Sequence, residues 1–405
     1  MPSSVWIALF LGTAGVFADM YTTQAILPVL GRAFNLPPAT AGLTVSAVVL
    51  AVAAGSLIAG PLSDRIGRKP VIVGASALLV VPTLLCGLAP TFGLLVAFRA
   101  LQGLLMPGLT SVMIVYVNEQ FAVRWRGTAM GIYVGGQVLG GLLARGASAT
   151  LTALFDWRCA LLFFALPTAG GALALGLYLP QAPRPLHGHQ DARWLDRRFP
   201  QEPRGQSLWD DVAAHLRNGR LLATCAIGFA LFFGFIGTFT YVPYYLTAAP
   251  FRVPQESLGL VYLVWATGIF SPVAGALAGR MGRLRAIAGS LGLACLGMLL
   301  TLIPSLPVIV LGLGLLALGM FTAVPGVNLL VGEVTTVARG TASALYLCCY
   351  YIGGSIGAVA PGLAWQHFAW PGVIILCLCL ALAALAADGA MARAAHRAGA
   401  QLAGT

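Results

Sequence analysis

Charged residues are scarce in this chain. Asp, Glu, Lys and Arg together make up 9% of it, whereas they make up about a quarter of an ordinary soluble domain. Hydrophobic residues account for 59%. So few charges cannot cover the surface of a water-soluble protein of 405 residues. The composition therefore excludes a soluble globule and indicates that lipid surrounds most of the chain.

The alternation of polar and apolar residues that marks the strands of a membrane β-barrel is also missing. The apolar runs instead extend over about 20 residues, the length that a helix needs to cross the hydrocarbon layer. We therefore predict an all-α membrane protein. The first run is not expected to be a cleaved signal peptide, because residues 1–5 contain no basic residue and Asp19 interrupts the run. Twelve transmembrane helices are expected, at residues 5–30, 39–62, 71–90, 93–117, 127–153, 157–179, 220–247, 256–279, 284–303, 306–330, 340–365 and 369–387.

Sequence patterns for catalysis, metal binding and ATP binding are absent as well. The eight cysteines lie mostly inside predicted spans and have neither metal-site spacing nor the pattern of a disulfide framework, so we interpret them as small apolar residues. Lys69 is the single lysine, and no G-x-x-x-x-G-K-[ST] phosphate loop occurs. We therefore expect neither an enzyme nor an ATP-driven pump, and neither a cofactor nor a metal ion.

The basic residues are concentrated on one side of the predicted membrane. The net charge is +11, and 18 of the 23 Lys and Arg residues fall on the side that holds both chain ends when the number of spans is even. Basic loops stay in the cytoplasm. This predicts a multi-pass protein of the cell (inner) membrane with both termini cytoplasmic. The positive charge then reflects topology, and we expect no nucleic-acid partner.

The longest polar segment separates two groups of six predicted spans. It covers residues 180–219 and contains five prolines among mixed charges, which is typical of a linker. We predict an N-terminal six-helix bundle at 1–179, a cytoplasmic linker at 180–219, a C-terminal six-helix bundle at 220–387 and a cytoplasmic tail at 388–405.

Two sequence blocks occur twice. GPLSDRIGRK at 60–69 returns as GALAGRMGRL at 275–284, which is 215 positions later, and RGTA at 126–129 returns at 339–342, an offset of 213. Two blocks with nearly one offset predict two related halves. Two related six-helix halves are the plan of many membrane transporters. In that plan the substrate site lies between the halves, near the middle of the membrane, and access alternates between the two sides.

The first of these blocks resembles a known family. Residues 60–69 match the loop G-x-L-[SA]-D-R-x-G-R-[KR] between helices two and three of the major facilitator superfamily at each specified position. Residues 99–103 resemble its R-x-x-Q-G element, and Asp19 with Leu27 and Pro28 resembles a helix-one pattern of small-molecule exporters. The resemblance covers essentially the whole chain and is greatest to the twelve-helix drug:proton antiporters and sugar (arabinose) efflux permeases. It implies proton-coupled export of small amphipathic molecules by alternating access.

Helix five departs from the antiporter pattern G-x-x-x-G-P-x-x-G-G. Residues 136–145, GQVLGGLLAR, keep the glycine spacing, which allows close helix contact. Gly141, however, occupies the proline position, and Arg145 replaces the last glycine. This departure, together with a second intramembrane arginine, Arg99, leaves an alternative open. The alternative is a proton symporter or facilitator for a sugar or an organic anion.

Asp19 is the strongest candidate for a proton carrier. It lies about 21 Å into helix one at 1.5 Å per residue, and an ionisable side chain at that depth indicates function. Hydrocarbon-like surroundings favour the protonated form of a carboxyl group, which allows it to bind and release a proton near neutral pH. The alternative is that Asp19 only pairs with an arginine or caps a kink near Gly12 and Gly15.

Arg99 and Arg145 complete the predicted proton-coupling group. Arg99 is expected either to extend to the outer interface or, as the resemblance implies, to bind a carboxylate or backbone carbonyls. Arg145 has a neutral counterpart, Ala358, in the second half. Such an unduplicated arginine is expected to pair with Asp19 or to bind an anionic substrate group.

Polar and aromatic side chains inside the spans are candidates for substrate binding, although aromatic residues also occur as packing residues or as an interfacial belt. Gln24 lies about 140° around a regular helix from Asp19, so the two need not face one cavity. Gln137 lies eight residues before Arg145 and on nearly the same face, so Gln137 and Arg145 are the better pair of candidates for one site. The candidates are Gln24, Gln102, Tyr133, Gln137, Phe235, Phe239, Tyr241, Asn328, Tyr346 and Tyr350.

A cytoplasmic gate is predicted at the repeated loops. The resemblance implies that Asp64 contacts the inner end of helix eleven when the inner side is closed. Glu119 and Glu333 are expected to form either ion pairs between the halves or local pairs at helix ends. The predicted gate comprises Gly60, Asp64, Arg65, Gly67, Arg68, Lys69, Glu119, Arg126, Arg280, Arg283, Glu333 and Arg339. The expected partners are a small-molecule substrate, protons and the lipid bilayer, and we expect a monomer.

Overall fold

The computed structural model describes residues 3–180, 213–270, 282–335 and 339–403, which form helices and connecting turns without a strand. Ten helices of this described part are long and apolar enough to cross a membrane. Two more helical elements, α11 and α8, the latter a succession of 3-10 and α-helical turns, bring the number to twelve. The helices are α1 Ser3–Ala33, α2 Pro38–Ile66, α3 Arg68–Leu88, α4 Phe92–Gln120, α5 Val123–Leu154, α6 Trp157–Tyr178, α7 Gly219–Thr247, α8 255–270, α9 Arg283–Leu300, α10 Leu306–Val334, α11 Arg339–Gly357 and α12 Ala360–Ala403.

Most of the predicted spans coincide with these helices. Ala369, with φ of 48°, interrupts α12, so that residues 360–368 and 370–403 are separate helices. This break falls at the boundary predicted between the last two spans. The last part of the eighth predicted span and most of the predicted linker, residues 181–212, lie outside the described residues.

Helix α1 is broken, which the sequence prediction of an unbroken span missed. Its regular part ends at Tyr21, a 3-10 turn follows at Gln24–Ile26, and a second helix begins at Leu27. Pro28 in the first turn of that helix has no N–H to donate to a preceding carbonyl, which favours the break. The angle between Asp19 and Gln24 calculated for a regular helix therefore does not apply.

The two halves, α1–α6 and α7–α12, repeat one close helix contact. Helix α5 packs on α1 at Gly140, where an added Cβ would lie 2.3 Å from the carbonyl oxygen of Ala14. Helix α11 packs on α7 at Gly353, where an added Cβ would lie 2.3 Å from the carbonyl oxygen of Phe229. Both contacts require a residue without a side chain, because the backbones of the paired helices touch.

Replacing Gly140 by alanine is expected to destabilise the protein. Ala in a helix interior is normally favoured over Gly by about 1 kcal/mol, but the new methyl group would overlap the α1 backbone, and overpacking costs about 1–3 kcal/mol. Gly135→Ala on the same helix is the control, because nothing lies within 4 Å of its added Cβ. Thermal unfolding of both variants in detergent measures the difference. Equal midpoints for the two variants would contradict the close contact.

The bundle has two ends. We name the end with Ser3, residue 180 and the α2–α3 turn at Gly67 the linker side, and the opposite end, with turns at 34–37 and 248–254, the far side. On the far side the two halves touch. Four hydrogen bonds connect them there: Gln24 to Thr240 (3.2 Å), Ser46 to Ser355 (2.7 Å), Tyr244 to the Leu27 carbonyl (3.0 Å) and Gln255 to the Ala25 carbonyl (3.0 Å).

Candidate functional site

Asp19 lies in a buried polar pocket of the first half, with 1% of its surface exposed. Its Oδ2 accepts hydrogen bonds from the hydroxyl groups of Thr83 on α3 (3.1 Å) and Thr168 on α6 (2.8 Å). Its Oδ1 has no hydrogen-bond partner among the described residues. Three helices therefore surround one carboxyl group that is only half satisfied. Thr83 and Thr168 were not among the predicted site residues, since a threonine in an apolar run carries no distinctive signal.

Arg99 is fully buried and does not extend to the outer interface. Its guanidinium group donates to four oxygen atoms at 2.6–3.1 Å: the carbonyl oxygens of Asp19, Met20 and Thr44, and Oε1 of Gln102. Three of these acceptors are backbone groups, as in one of the two predicted alternatives. Arg99 thus binds the last carbonyls before the break in α1 and holds them against the start of α2.

Gln102 connects Arg99 to Asp19 through the hydroxyl group of Thr83. Its Oε1 accepts from Arg99 at 2.7 Å, and its amide nitrogen donates to the Thr83 hydroxyl at 2.8 Å. The Thr83 hydroxyl lies within hydrogen-bond distance of both Asp19 (3.1 Å) and the Leu79 carbonyl (2.8 Å). A hydroxyl group has one proton to donate, so Thr83 can serve only one of these two acceptors at a time.

Arg145 lies apart from Asp19 and contacts Gln24 instead. Its Nε and Nη2 donate to Oε1 of Gln24 (2.9 and 2.7 Å), and its Nη1 donates to the Gly141 carbonyl (2.7 Å). The pair with Asp19, one of its two predicted alternatives, is therefore not formed in this conformation. Gln137 is half-buried and lies one turn from Tyr133 on α5. Arg145 binds Gln24 and not Asp19 because the break in α1 brings Gln24 to the guanidinium.

Three aromatic rings surround the Arg145 guanidinium. Its central carbon lies 3.6 Å from the ring centroid of Trp265, 4.1 Å from that of Tyr21 and 4.8 Å from that of Tyr262. Such cation–π contacts stabilise a buried cation by about 2 kcal/mol when water is excluded. Tyr21 belongs to α1, whereas the other two rings belong to α8, so the aromatic box of Tyr21, Tyr262 and Trp265 spans both halves. The sequence patterns had missed all three.

The predicted aromatic residues of α7 lie inside the protein. Phe235 and Phe239 are buried, and their ring centroids lie 4.7 and 5.4 Å from that of Trp265. Tyr241 is also buried, and its hydroxyl donates to the Ala358 carbonyl at 2.8 Å. Two of the three therefore extend the aromatic box, and Tyr241 joins α7 to the end of α11.

The remaining substrate candidates have different environments. The Tyr133 hydroxyl donates to a carbonyl of α4 at 2.9 Å. Tyr346 is buried, and its hydroxyl has no hydrogen-bond partner among the described residues. Tyr350 is half-buried and stacks on Phe232 with a centroid distance of 4.2 Å, and Asn328 is exposed. These side chains do not form one cluster with Arg145.

Three acidic residues on the linker side pair within their own half. Arg68 bridges Asp64 (2.5 Å) and Glu119 (3.0 Å), and Arg283 pairs with Glu333. The side chains of these three acids are 45–63% exposed. Exposed pairs of this kind contribute little to stability, so they can exchange partners. Among the described residues, Glu119 and Glu333 form local pairs at helix ends, one of their two predicted alternatives, and no pair between the halves, while Asp64 pairs with Arg68.

The repeated loops share a backbone conformation. Gly67 has φ of 100° and Gly282 has φ of 87°, a region that residues with a side chain rarely adopt. This explains the glycine at that position in both copies. Gly60 lies open, with nothing within 4 Å of an added Cβ.

The other predicted gate residues are basic and have varied positions. Arg65 is exposed, Lys69 is half-buried, and Arg126 donates to the Phe121 carbonyl at 3.0 Å. Arg339 is the first residue of α11, and Arg280 lies outside the described residues. A cleft of about 490 Å³ opens nearby in the second half, lined by Arg220, Gly282, Arg283, Leu284, Arg285, Leu330, Glu333, Val334, Met391 and Ala392.

Comparison with known proteins agrees with this architecture. The chain is 34% identical to the inner membrane transport protein YnfM of Escherichia coli (strain K12), over 93% of this chain and 88% of that protein. It is 28% identical to the MFS-type transporter YybF of Bacillus subtilis (strain 168), over 96% of this chain and 93% of that protein. The fold resembles that of a bacterial homolog of the human lysosomal transporter Spinster, with a TM-score of 0.76, 19% identity, and coverage of 96% of this chain and 97% of that one.

A second solved structure with a similar fold is that of a D-xylose–proton symporter, with a TM-score of 0.72 and 18% identity. The match covers 95% of this chain and 97% of that one. At such identities the likeness concerns the fold alone. The sequence model of the Major Facilitator Superfamily matches residues 9–267 and 251–397. The twelve-helix chain, with its duplicated loop and buried charges, is a membrane transporter and belongs to the Major Facilitator Superfamily.

Proposed function

We propose that this transporter exports small amphipathic molecules in exchange for protons, and that Asp19 carries the proton. The observation that supports this proposal is the environment of Asp19, a carboxyl group 1% exposed with one oxygen unpartnered among the described residues. An ionised carboxylate in such a place is costly, so a proton binds there readily. An ionisable group deep in a membrane span commonly belongs to a proton relay.

Proton binding would change the hydrogen bonds that hold three helices. While Asp19 is ionised, the hydroxyls of Thr83 and Thr168 both donate to it. After protonation the carboxyl group is a weaker acceptor, and the Thr83 hydroxyl can turn to the Leu79 carbonyl at 2.8 Å. The contact between α1 and α3 then loosens. In this way a proton would bias the position of α1, which also carries Gln24 of the contact between the halves.

The direction of opening follows from the contacts between the halves. Hydrogen bonds join the halves on the far side, whereas the exposed ion pairs of the linker side lie within each half. We infer that this conformation is open to the linker side. The concentration of basic residues on that side supports its assignment to the cytoplasm. Transport would then require that the far side open and the linker side close.

Everted membrane vesicles test the proposal. Respiration acidifies their interior, and a pH-sensitive dye reports the gradient after addition of ethidium, L-arabinose or 1-naphthalenesulfonate, chosen by thermal shift on the purified protein. A proton-coupled exporter dissipates the gradient when its substrate is added outside. Asp19→Asn is expected to abolish dissipation, because an amide cannot exchange a proton, and to retain substrate binding.

Asp388→Asn provides the matched control, since Asp388 is another buried carboxyl group, 2% exposed, in the linker-side part of α12. It is expected to couple like the wild type. Unchanged coupling in Asp19→Asn would remove Asp19 from the mechanism. Substrate uptake by vesicles without any change in the gradient would favour a facilitator and contradict proton exchange.

A further inference from the structure

Arg145 is a buried cation without an anionic partner in the described part of the chain. Its exposed fraction is 0%, and none of the ion pairs between described residues includes it. Removing a cation from water without an opposite charge is unfavourable. Within the described residues, the positive charge of Arg145 is stabilised only by neutral groups, namely the Gln24 amide, one carbonyl and three aromatic rings. The site therefore lacks one negative charge.

Arg99 is also buried and in none of the ion pairs between described residues, but it differs in where its hydrogen-bond acceptors lie. Its guanidinium contacts four oxygen atoms, all from the first half. Movement of the second half leaves that set intact, so Arg99 needs no further ligand. Arg145 alone among the two buried arginines depends on groups from both halves.

Opening of the far side would remove much of the Arg145 environment. Trp265 and Tyr262 belong to α8 and would move away with the second half. Gln24 would lose its hydrogen bond to Thr240 of α7. The guanidinium would keep Tyr21, Gln24 and the carbonyl of its own helix. A ligand that supplies negative charge and apolar surface would offset this loss.

We propose that Arg145 binds the anionic group of the transported molecule, and that the aromatic box contacts its apolar part. The Nε and Nη2 atoms of Arg145, which both donate to the single Oε1 of Gln24, form the edge of a guanidinium that binds a carboxylate or sulfonate through two parallel hydrogen bonds. The substrate class is thus an amphipathic monoanion with a planar or aliphatic body. This inference rests on the proposed transport function and specifies its substrate.

Calorimetric titration of the purified protein tests the inference with two matched ligand pairs. The anions 1-naphthalenesulfonate and benzoate are compared with their neutral amides, 1-naphthalenesulfonamide and benzamide, and empty micelles give the baseline. The wild type is expected to bind at least one anion about tenfold more tightly than its amide. Arg145→Gln is expected to remove this preference, whereas Arg252→Gln, at an exposed arginine of the far side, is expected to retain it.

Gln24→Glu provides a second variant of nearly the same shape. The introduced carboxylate would pair with Arg145 and is expected to weaken anion binding about tenfold, with amide binding unchanged. Anion preference that persists in both variants, or is absent from the wild type, would overturn the proposal. Proton coupling in vesicles without anion preference would contradict this inference alone. Anion preference without proton coupling would contradict only the proposed exchange.

Discussion

A disulfide between Ser46→Cys on α2 and Ser355→Cys on α11 is expected to stop transport completely and reversibly. The two serine hydroxyl oxygens lie 2.7 Å apart across the contact between the halves. Cysteine sulfurs at these positions are therefore close enough to bond without a large backbone shift. A covalent link there would keep the far side closed. Because alternating access requires the halves to separate on that side, the oxidised double variant can bind substrate but cannot complete a cycle.

The measurement is gradient dissipation in everted vesicles before oxidation, after oxidation and after reduction, with mass spectrometry to confirm the bridge. The single variants Ser46→Cys and Ser355→Cys, oxidised in the same way, control for the native cysteines, several of which are exposed or half-buried. Activity is expected to fall to background in the bridged protein and to return after reduction. Transport by fully bridged protein would show that the far side need not open.

Replacing Arg99 by lysine is expected to destabilise the protein strongly although the charge is kept. The planar guanidinium reaches acceptors on α1, α2 and α4 in several directions, and a lysine ammonium is a compact donor at one point. At least one buried carbonyl would remain unpaired. A lost hydrogen bond to a charged donor costs about 1.5–3 kcal/mol, so we expect the stability to fall by about 2–4 kcal/mol.

Thermal and denaturant unfolding of the purified variant give this value, and vesicle assays give its transport. Arg32→Lys, at an exposed arginine of the far side, is expected to unfold like the wild type. If Arg99→Lys matched the wild type in both assays, charge alone would be required at this position. That result would contradict the proposal that the geometry of the Arg99 hydrogen bonds holds the broken α1 in place.

Much of the architecture follows from the sequence because lipid imposes a simple rule. Every backbone group in the bilayer must bond internally, so apolar runs of this length become helices. The structure places helices at the predicted spans, and Ala369 divides the last two near the predicted boundary. The burial of Asp19 and Arg145 also followed, since each lies inside an apolar run, whereas burial of Arg99 was only one of its two predicted alternatives.

The partners of these charges could not be predicted in the same way. Arg145 reaches Gln24 over 121 positions of sequence, and Gln24 reaches Thr240 over 216. Both contacts depend on the break in α1 and on the position of one half against the other. Helical periodicity concerns neighbours on one helix only, so it placed Gln137 and Arg145 on nearly one face but did not identify Gln24 as the partner of Arg145. No sequence pattern predicted the contacts that the Trp265 ring makes.

The sequence by itself determined the membrane solvent, the twelve helices, the duplication and the position of Asp19 and Arg145 inside spans, because composition and periodicity express burial in lipid directly. Tertiary structure alone decided that Asp19 faces two threonines, that Arg99 binds backbone carbonyls, and that Arg145 lies among rings of both halves. The physical reason is that a buried charge takes whichever polar groups surround it after the helices pack. That set depends on contacts between residues far apart in the chain.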